Sequence, residues 1–396
     1  PPRGEGTAAQ VLRCTRVQFF VQIHLYPRCF RVILFAPKIF SEDSFISAML
    51  FNNVCLEAFG YALPPHVVTS VSIEEKLAAL YEKLKMPTGR LEMMSGIRER
   101  RFWDPQTTPS QASTLAGREA LRNSGVDASE MECLLHTSVC RDFMEPASAT
   151  LVHKALRLAD DAAVFDISNA CLGFLNGIVT LGNMIELGQV KKGLIVAGEG
   201  SRQLVENTID HLLEMPNPTR HSIRNMFASL TLGSGACALV MAHKSVSKFK
   251  HRLVGGAMRC ATEFNHLCQG DVSNMNTDSE TLLQEGCKLA RVTWEKTKRV
   301  LGWTNEQVDR VFCHQVGSAH RRLMYSSIEM DLAKDFSTLE YLGNAGSVSL
   351  PITMAIGMEK HPPQRTEKVA MMGIGSGLNC LMLGVELQKQ TRTLDS

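Results

Sequence analysis

Two segments in opposite halves of this chain repeat one another, and that repeat limits the possible folds more than any other feature. Thr231-Leu-Gly-Ser-Gly-Ala-Cys-Ala-Leu-Val-Met241 matches Gly373-Ile-Gly-Ser-Gly-Leu-Asn-Cys-Leu-Met-Leu383. Upstream in each half, Asp166-Ile-Ser-Asn-Ala-Cys-Leu-Gly173 matches Tyr341-Leu-Gly-Asn-Ala-Gly-Ser-Val348 more loosely. Each half therefore carries an Asn-Ala turn leading into an apolar helix, and closes with Gly-Ser-Gly and a strand. Two echoes in the same order indicate an internal duplication. Asn169 to Gly233 spans 64 residues and Asn344 to Gly375 spans 31, so an insertion of about 33 residues is expected near Ser201–Ser229.

Around these echoes, β-rich apolar runs alternate with segments of helical spacing. The strand-like runs are Glu132–Val139, Ala163–Ile167, Gly193–Ala197, Ala236–Ala242, Val308–Cys313, Leu339–Leu342, Lys368–Met372 and Leu378–Val385. Helical spacing runs over Gln111–Asn123, Leu172–Leu187, Asp278–Lys298, Ser318–Ser327 and Val348–Lys360. Alternation of this kind predicts an α/β fold with a mostly parallel sheet. The chain of 396 residues divides into 49–250 and 251–396 as two related halves.

The first 48 residues differ from the rest. They hold Arg3, Arg13, Arg16, Arg28, Arg31 and Lys38, with no acid between Glu5 and Glu42. An Arg-rich, acid-poor stretch is one form of targeting segment. The other reading is sequence upstream of a start at Met49. The second is preferred, because no cleavage pattern or amphipathic face emerges, and 1–48 is set apart from the fold.

A formal net charge of +2 gives no electrostatic case for a nucleic-acid partner. No apolar run is long enough to span a membrane. The 12 cysteines are scattered without a Cys-x-x-Cys pair, so zinc ribbons and redox pairs are not expected. Thiols used as small core residues point to a reducing compartment, the cytoplasm.

One cysteine stands apart. Cys171 follows a strand, sits at a turn and opens a long apolar helix. A thiol there feels the positive end of the helix dipole and free backbone N–H groups, both of which favour the nucleophilic thiolate. The plainer alternative is a small buried core cysteine. His314 follows an apolar strand, where open α/β sheets place ligands, or it is one more satisfied histidine among 12. Asn344 in Gly343-Asn-Ala-Gly346 is a carboxamide donor or a turn residue. Gly373-Ile-Gly-Ser-Gly377 lacks a following helix, so it is a poor phosphate loop, yet a backbone N–H there can face an oxyanion. Glu145, in Arg141-Asp-Phe-Met-Glu-Pro146, is a candidate base or a solvated loop acid.

Taken together these motifs resemble the β-ketoacyl-ACP synthase III branch of the thiolase superfamily. The resemblance rests on Asn169-Ala-Cys-Leu-Gly173, His314-Gln315, Gly343-Asn-Ala-Gly-Ser347 and Gly373-Ile-Gly-Ser-Gly-Leu-Asn379, in that family's order, from Met49 to about Leu387. Within it, Met49-Leu-Phe-Asn-Asn-Val54 and Arg141-Asp-Phe-Met-Glu-Pro-Ala-Ser148 are similar to the acyl-CoA condensing enzymes of head-to-head olefin biosynthesis. The resemblance implies a thiolase fold, two duplicated halves in an αβαβα sandwich. It implies that Cys171 is acylated and that His314 and Asn344 polarise the second thioester. The N–H groups of Cys171 and Ser376 would face the oxyanion of the acyl-cysteine, and Glu145 would act as base across a homodimer interface. Acyl-CoA or acyl-ACP is then substrate, and no cofactor or metal is expected.

That assignment implies a Claisen condensation of two fatty acyl thioesters, giving a 2-alkyl-3-keto acid. Joining two simple acyl thioesters requires removal of a weakly acidic α-proton, hence a placed carboxylate. A decarboxylative synthase using malonyl-ACP is the alternative, but that group has His-Gln-Ala-Asn where this chain has His314-Gln-Val-Gly317. A Cys-His-Asn thioester hydrolase uses the same residue types, and a lipid-binding scaffold would have no need of them. His320, Arg321 and Arg322 read as a solvated basic face. The 19 methionines suit either adaptable acyl tunnels or core filling.

Overall fold

The computed structural model describes residues 48–389. The segment before Ala48, set apart above, lies outside the described residues.

The first half opens with β1 (Ala48–Leu50), β2 (Val54–Ala62) and β3 (His66–Thr69). Three short helices follow, α1 (Ser70–Lys76), α2 (Ala78–Lys83) and α3 (Arg90–Ser95), then β4 (Glu99–Phe102). Next come α4 (Pro109–Ser124), β5 (Cys133–His136), α5 (Ser148–Leu156), β6 (Ala163–Asp166), α6 (Gly173–Glu186), β7 (Lys192–Glu199), α7 (Arg202–Glu214) and β8 (Gly235–His243). The second half runs β9 (His251–Cys260), β10 (Cys268–Gly270), β11 (Met275–Thr277), α8 (Ser279–Leu301), β12 (Arg310–Cys313), α9 (Ser318–Ser327), α10 (Leu339–Leu342), α11 (Ser349–Lys360), β13 (Glu367–Gly375) and β14 (Asn379–Leu387).

The duplication is visible in the strand order. The first half lies β2-β8-β7-β5-β6 and the second β9-β14-β13-β12. In both, the last strand in sequence sits between the first and the next-to-last. In the second half, an isolated parallel bridge between Val311 and Asp335 stands where the fifth strand would be. The halves meet at β2 and β9 through Cys55–Arg252 and Leu56–His251. The sheet is mixed rather than mostly parallel. Among the described strands only β5–β6, β5–β7 and β12–β13 pair in parallel, while β8 and β14 run against both neighbours. Each half ends in an antiparallel return strand, which apolar content alone does not distinguish from a parallel strand.

Side-chain alternation explains the layers. Cys133 and Leu135, Ile195 and Ala197, and Cys237, Leu239 and Met241 point to one core, while Leu134, Leu194, Val196, Ala238 and Val240 point to another. In the second half Val369, Met371, Leu381 and Leu383 share that first core, and Ala370, Met372, Cys380 and Met382 face a third. Strands covered on both faces read as continuous apolar runs. The shared core holds α6 and α11, whose side chains are buried almost all round. Helices α4 and α5 cover the outer face of the first half, and α8 and α9 that of the second. The result is an αβαβα sandwich. Phe174, Leu175, Ile178, Leu181 and Ile185 of α6 are at most 2% exposed, and each contributes on the order of 2 kcal/mol from burial.

The expected insertion is ordered. Val205, Ile209 and Leu212 of α7, with Ile223, Met226 and Leu230, pack on Ile73, Leu77, Leu80 and Leu91 in a satellite core. Leu339–Leu342, expected as a strand, is a helical turn. In the main sheet β1, β2 and β9 were not anticipated from apolar patterning, nor were the short pairs β3–β4 and β10–β11 outside it.

Candidate active site

Cys171 stands at a tight turn between β6 and α6. The Leu172 N–H donates to Asn169 (2.9 Å) and the Gly173 N–H to Ala170 (3.2 Å). Ala170 is left-handed at φ 44°, a conformation that costs a non-glycine residue of order 1 kcal/mol and recurs at functional turns. Helix α6 can start there only because residue 173 is glycine. A Cβ on Gly173 would lie 2.2 Å from the Thr137 carbonyl oxygen.

The hairpin between β13 and β14 carries Ser376, and it sits against this turn. A Cβ on Gly375 would reach 3.5 Å from the backbone nitrogens of Cys171 and Leu172. The echo of that hairpin has the mirrored duty. The Asn344 N–H donates to Thr231 (3.0 Å), the Gly233 N–H donates to Asn344 (2.9 Å), and a Cβ on Gly233 would lie 2.1 Å from the Leu342 oxygen. Each half thus presses its Gly-Ser-Gly turn onto the Asn-Ala turn of the other half. The segment Thr231–Gly235 had no assignable chemistry in the sequence, and here it holds Asn344.

The Asn344 carboxamide is oriented from one side. Its oxygen accepts from the Gly346 N–H (3.1 Å) and the Ser349 hydroxyl (3.4 Å), which leaves its NH2 to donate elsewhere. His314 directly follows β12, and its N–H donates to Met372 of β13 (3.0 Å). That places it at the same end of the sheet as the hairpin carrying Ser376, which follows the last residue of β13, Gly375. It is 5% exposed, and its Nδ1 is buried without a hydrogen-bond partner. Burial, with nearby His320 adding a little, lowers its pKa to about 3, so the ring is neutral at working pH. Gln315 braces the neighbouring segment, accepting from Ser337 Oγ (2.8 Å) and Thr338 N–H (3.3 Å).

The expected thiolate is not what this environment favours. Burial pushes the Cys171 thiol up to about 12, assisted by the charge of Glu199 and by Cys268. The residue stands just before the helix N-cap, Leu172, and desolvation outweighs the help of the helix end. The basic face expected on α9 is also only partly solvated. Arg321 turns in to Asp335, which also accepts from Tyr325 (2.5 Å), and burial lowers His320 to about 4.

Glu145 is exposed in the loop after β5, next to exposed Phe143 and Met144. Among the described residues no hydrogen bond or ion pair joins it to Cys171, His314 or Asn344. The loop's base is fixed nonetheless. Asp142 accepts from the Ser110 N–H (3.1 Å) and hydroxyl (2.7 Å) at the start of α4, and Asp166 accepts from the Ser148 (3.0 Å) and Ala149 (2.8 Å) N–H groups at the start of α5.

Glu199 was not singled out in the sequence. It ends β7, is 5% exposed, and touches both halves of the site. The available signal was an acid closing an apolar strand, at the sheet end where α/β folds place ligands. Two surface clefts among the described residues, of about 700 and 470 Å3, are lined by other residues, Arg118, Arg122 and Arg157 in one and His211, His221 and Arg224 in the other. No helix among the described residues is long and apolar enough to cross a membrane.

Comparison with known proteins agrees with this architecture. The profile of 3-oxoacyl-[acyl-carrier-protein (ACP)] synthase III matches residues 165–256, and that of its C-terminal region matches 299–386. The chain is 40% identical over 350 residues to the acyl-CoA:acyl-CoA alkyltransferase of Shewanella oneidensis, covering 85% of this chain and 100% of that one. It is 38% identical to the enzyme of the same name from Xanthomonas campestris, covering 85% and 99%. Identity to β-ketoacyl-[acyl-carrier-protein] synthase III 1 of Bacillus cereus is 28%, covering 82% and 96%. A crystal structure of Xanthomonas campestris OleA with bound lauric acid and lauroyl-CoA superposes with a TM-score of 0.82 at 38% identity, covering 85% of this chain and 100% of that one.

Proposed function

The chain belongs to the acyl-CoA:acyl-CoA alkyltransferase group of the 3-oxoacyl-[acyl-carrier-protein] synthase III family, and on that premise we propose that it joins two fatty acyl-CoAs through an acyl-cysteine on Cys171. The observation that carries this reading is the crossed packing of the two halves, which sets the Cys171 turn beside the Ser376 hairpin and fixes Asn344 from the opposite side.

In the first step the Cys171 sulfur attacks an acyl-CoA carbonyl, the carbon–sulfur bond to CoA breaks, and CoA leaves as the thiol. The N–H groups of Cys171 and Ser376 face the oxyanion. In the second step the Glu145 carboxylate removes an α-proton from another acyl-CoA, whose carbonyl is polarised by His314 and Asn344. A neutral imidazole and an amide NH2 are both donors, so neither needs to ionise. The α-carbon then bonds to the acyl carbon, the bond to the Cys171 sulfur breaks, and a 2-alkyl-3-ketoacyl-CoA leaves, to be hydrolysed to the acid. The atoms balance without a cofactor.

Glu145 comes from a second copy in this reading, and a homodimer is part of the proposal. Two features support it. The loop holding Phe143, Met144 and Glu145 is exposed although its base is pinned, and β6 is an unpaired edge of the sheet among the described residues, with Phe165 exposed. Unprotected edge strands invite pairing with another chain. Residues 49–250 would supply the nucleophile and 251–396 the histidine and asparagine. The ten described cysteines are all free, which supports a reducing, cytoplasmic setting.

Incubation with a long-chain acyl-CoA, followed by intact-mass and product analysis, tests this. The wild type is expected to form an acyl adduct and a coupled ketone after decarboxylation. Cys171→Ala should form neither, and Glu145→Gln should form the adduct without the coupled product. Mixing and re-assembling the two variants should restore coupling, because one mixed site then holds both groups. Free acid as the sole wild-type product would make the protein a hydrolase, and no recovery on mixing would place Glu145 in its own chain's site.

A further inference from the structure

One buried carboxylate in this site has no role in the steps above. The side chain of Glu199 is the acceptor for four donors from two separate loops. Its Oε1 accepts from the Val139 N–H (2.9 Å), the Ser347 N–H (3.3 Å) and the Ser347 hydroxyl (2.5 Å), and its Oε2 accepts from the Cys140 N–H (3.1 Å). Val139 and Cys140 follow β5 and lead into the loop that carries Glu145. Ser347 belongs to the other half, three residues beyond Asn344. Space for the carboxyl is kept by Gly346, left-handed at φ 57°, where a Cβ would lie 3.4 Å from the Glu199 carboxyl carbon.

We propose that Glu199 is a positioning residue for the condensation step, its carboxylate tying the loop after β5 to the Asn344 loop so that the carboxamide and the acidic loop are held in fixed register. The inference rests on the reading of the site given above. Both carboxylate oxygens are occupied by donors, so Glu199 is a poor candidate for the base itself. Charge-assisted bonds of this kind are shorter and stronger than neutral ones, and a buried carboxylate that lost them would be left uncompensated. The same charge lies within electrostatic reach of the Cys171 thiol, where it opposes ionisation of the resting enzyme. Cys268 is the other titratable group acting on that thiol. Glu199 therefore has two separable effects, one through its reach and one through its charge.

Two substitutions separate them. Glu199→Gln keeps the length and removes the charge, and Glu199→Asp keeps the charge and shortens the reach by one methylene. Three quantities are measured on the full-length protein with a long-chain acyl-CoA: coupled product formed per acyl-enzyme, the pH profile of Cys171 alkylation by iodoacetamide without acyl-CoA, and the melting temperature. Glu199→Gln is expected to alkylate at Cys171 five- to tenfold faster at pH 7.5 while forming at least tenfold less coupled product per acyl-enzyme. Glu199→Asp should keep the wild-type alkylation profile and lose coupling to a similar extent. A purely structural role would lower the melting temperature without accelerating alkylation. Wild-type coupling per acyl-enzyme in both folded variants overturns the proposal, as does Glu199→Gln with an unchanged alkylation profile. If neither variant folds, Ser347→Ala decides, since it deletes only one donor. A fivefold or greater loss of coupling supports the tie, and wild-type coupling overturns it. If the wild type acylates but forms no coupled product, the condensation reading fails by itself. The tie is then judged on the alkylation profile and on the rate of acyl-enzyme hydrolysis, and a wild-type value for both in Glu199→Gln overturns it.

Discussion

The seam between the two halves contains a buried histidine whose protonation should weaken the fold in a calculable way. His251 begins β9 opposite Leu56 of β2, is 2% exposed, and stacks on Phe249 with ring centroids 6.0 Å apart. Its Nδ1 accepts the Gln388 N–H (2.9 Å), so the proton of the neutral ring is on Nε2, which is buried with no partner. Protonation at Nδ1 would break the one bond the ring has and bury a charge. Burial accordingly lowers its pKa from 6.5 to about 4. The unfolded chain takes up the proton first on acidification, so stability is fully present above pH 6.5 and is lost progressively as pH falls toward 4. Each pH unit below 6.5 costs about 1.4 kcal/mol, giving about 2 kcal/mol from this residue at pH 5. His314 and His320 titrate in the same direction, so the wild-type total is larger and a variant is needed to isolate one site. His251→Gln removes the titration and keeps an oxygen able to accept from Gln388. Urea midpoints at pH 7.5 and pH 5 are the measurement, and the wild type should lose about 2 kcal/mol more than the variant between them. Equal losses would refute the assignment of His251 as a ring held neutral by the seam.

Two further outcomes follow from the nucleophile's turn. Gly173→Ala forces a methyl to 2.2 Å from the Thr137 oxygen, so it should cost ~1–3 kcal/mol and abolish acylation of Cys171; a wild-type melting temperature with normal adduct formation would contradict the close approach. At pH 7.5 a thiol raised to about 12 has roughly three thousand times less thiolate than an ordinary cysteine, and its greater intrinsic nucleophilicity recovers a factor of roughly thirty. Peptide mapping after iodoacetamide treatment should therefore find Cys171 about a hundredfold slower than exposed Cys260, and equal rates would show that burial does not control the thiol.

Much of the architecture was legible because most strands are covered on both faces. Leu134, Leu194 and Val240 face one core and their immediate neighbours another, so the runs are apolar without interruption and stand out in the sequence. The two long strands that were missed, β2 and β9, break that rule. In β2 the apolar run is interrupted by Glu57, which is buried because its Oε2 accepts the Lys248 N–H (2.8 Å). In β9, Arg252 and the pair Gly255-Gly256 interrupt the apolar pattern, yet both glycines sit under close backbone. A Cβ on Gly255 would lie 2.2 Å from the Met49 oxygen, and one on Gly256 2.0 Å from the Met382 oxygen. Leu339–Leu342 has strand composition but closes into a helical turn, with the Tyr341 (3.2 Å) and Leu342 (3.0 Å) N–H groups donating to the Thr338 carbonyl. Cys171, His314 and Asn344 could be singled out from local sequence because Cys171 follows a turn after β6, His314 directly follows β12, and Asn344 sits in a Gly-Asn-Ala-Gly turn. Glu199 was not, since burial of an acid is decided by donors contributed from residues 139, 140 and 347, which no local pattern connects. The thiolate expectation failed for a related reason. A helix end is local and visible in sequence, whereas desolvation is a property of the assembled halves.

That desolvation suits transfer chemistry of the proposed kind. A thiol buried to a pKa of about 12 carries no charge at rest, and acylation replaces it with a thioester that is also uncharged. Burial thus penalises only the free thiolate, the species exposed to stray electrophiles, and leaves the acyl-enzyme unaffected. When the carbon–carbon bond forms, the sulfur is expelled as the anion that its surroundings most disfavour, next to the Glu199 charge. It must take a proton at once. In the proposed cycle the α-proton taken up by Glu145 one step earlier is the matching source. A high thiol pKa draws that proton back from a carboxylic acid with a large driving force, so the cycle closes with cysteine and base both restored to their resting forms. The same surroundings that make Cys171 a poor free nucleophile make it a good final proton acceptor, and the burial that sets this balance exists only where the two duplicated halves grip each other's turns.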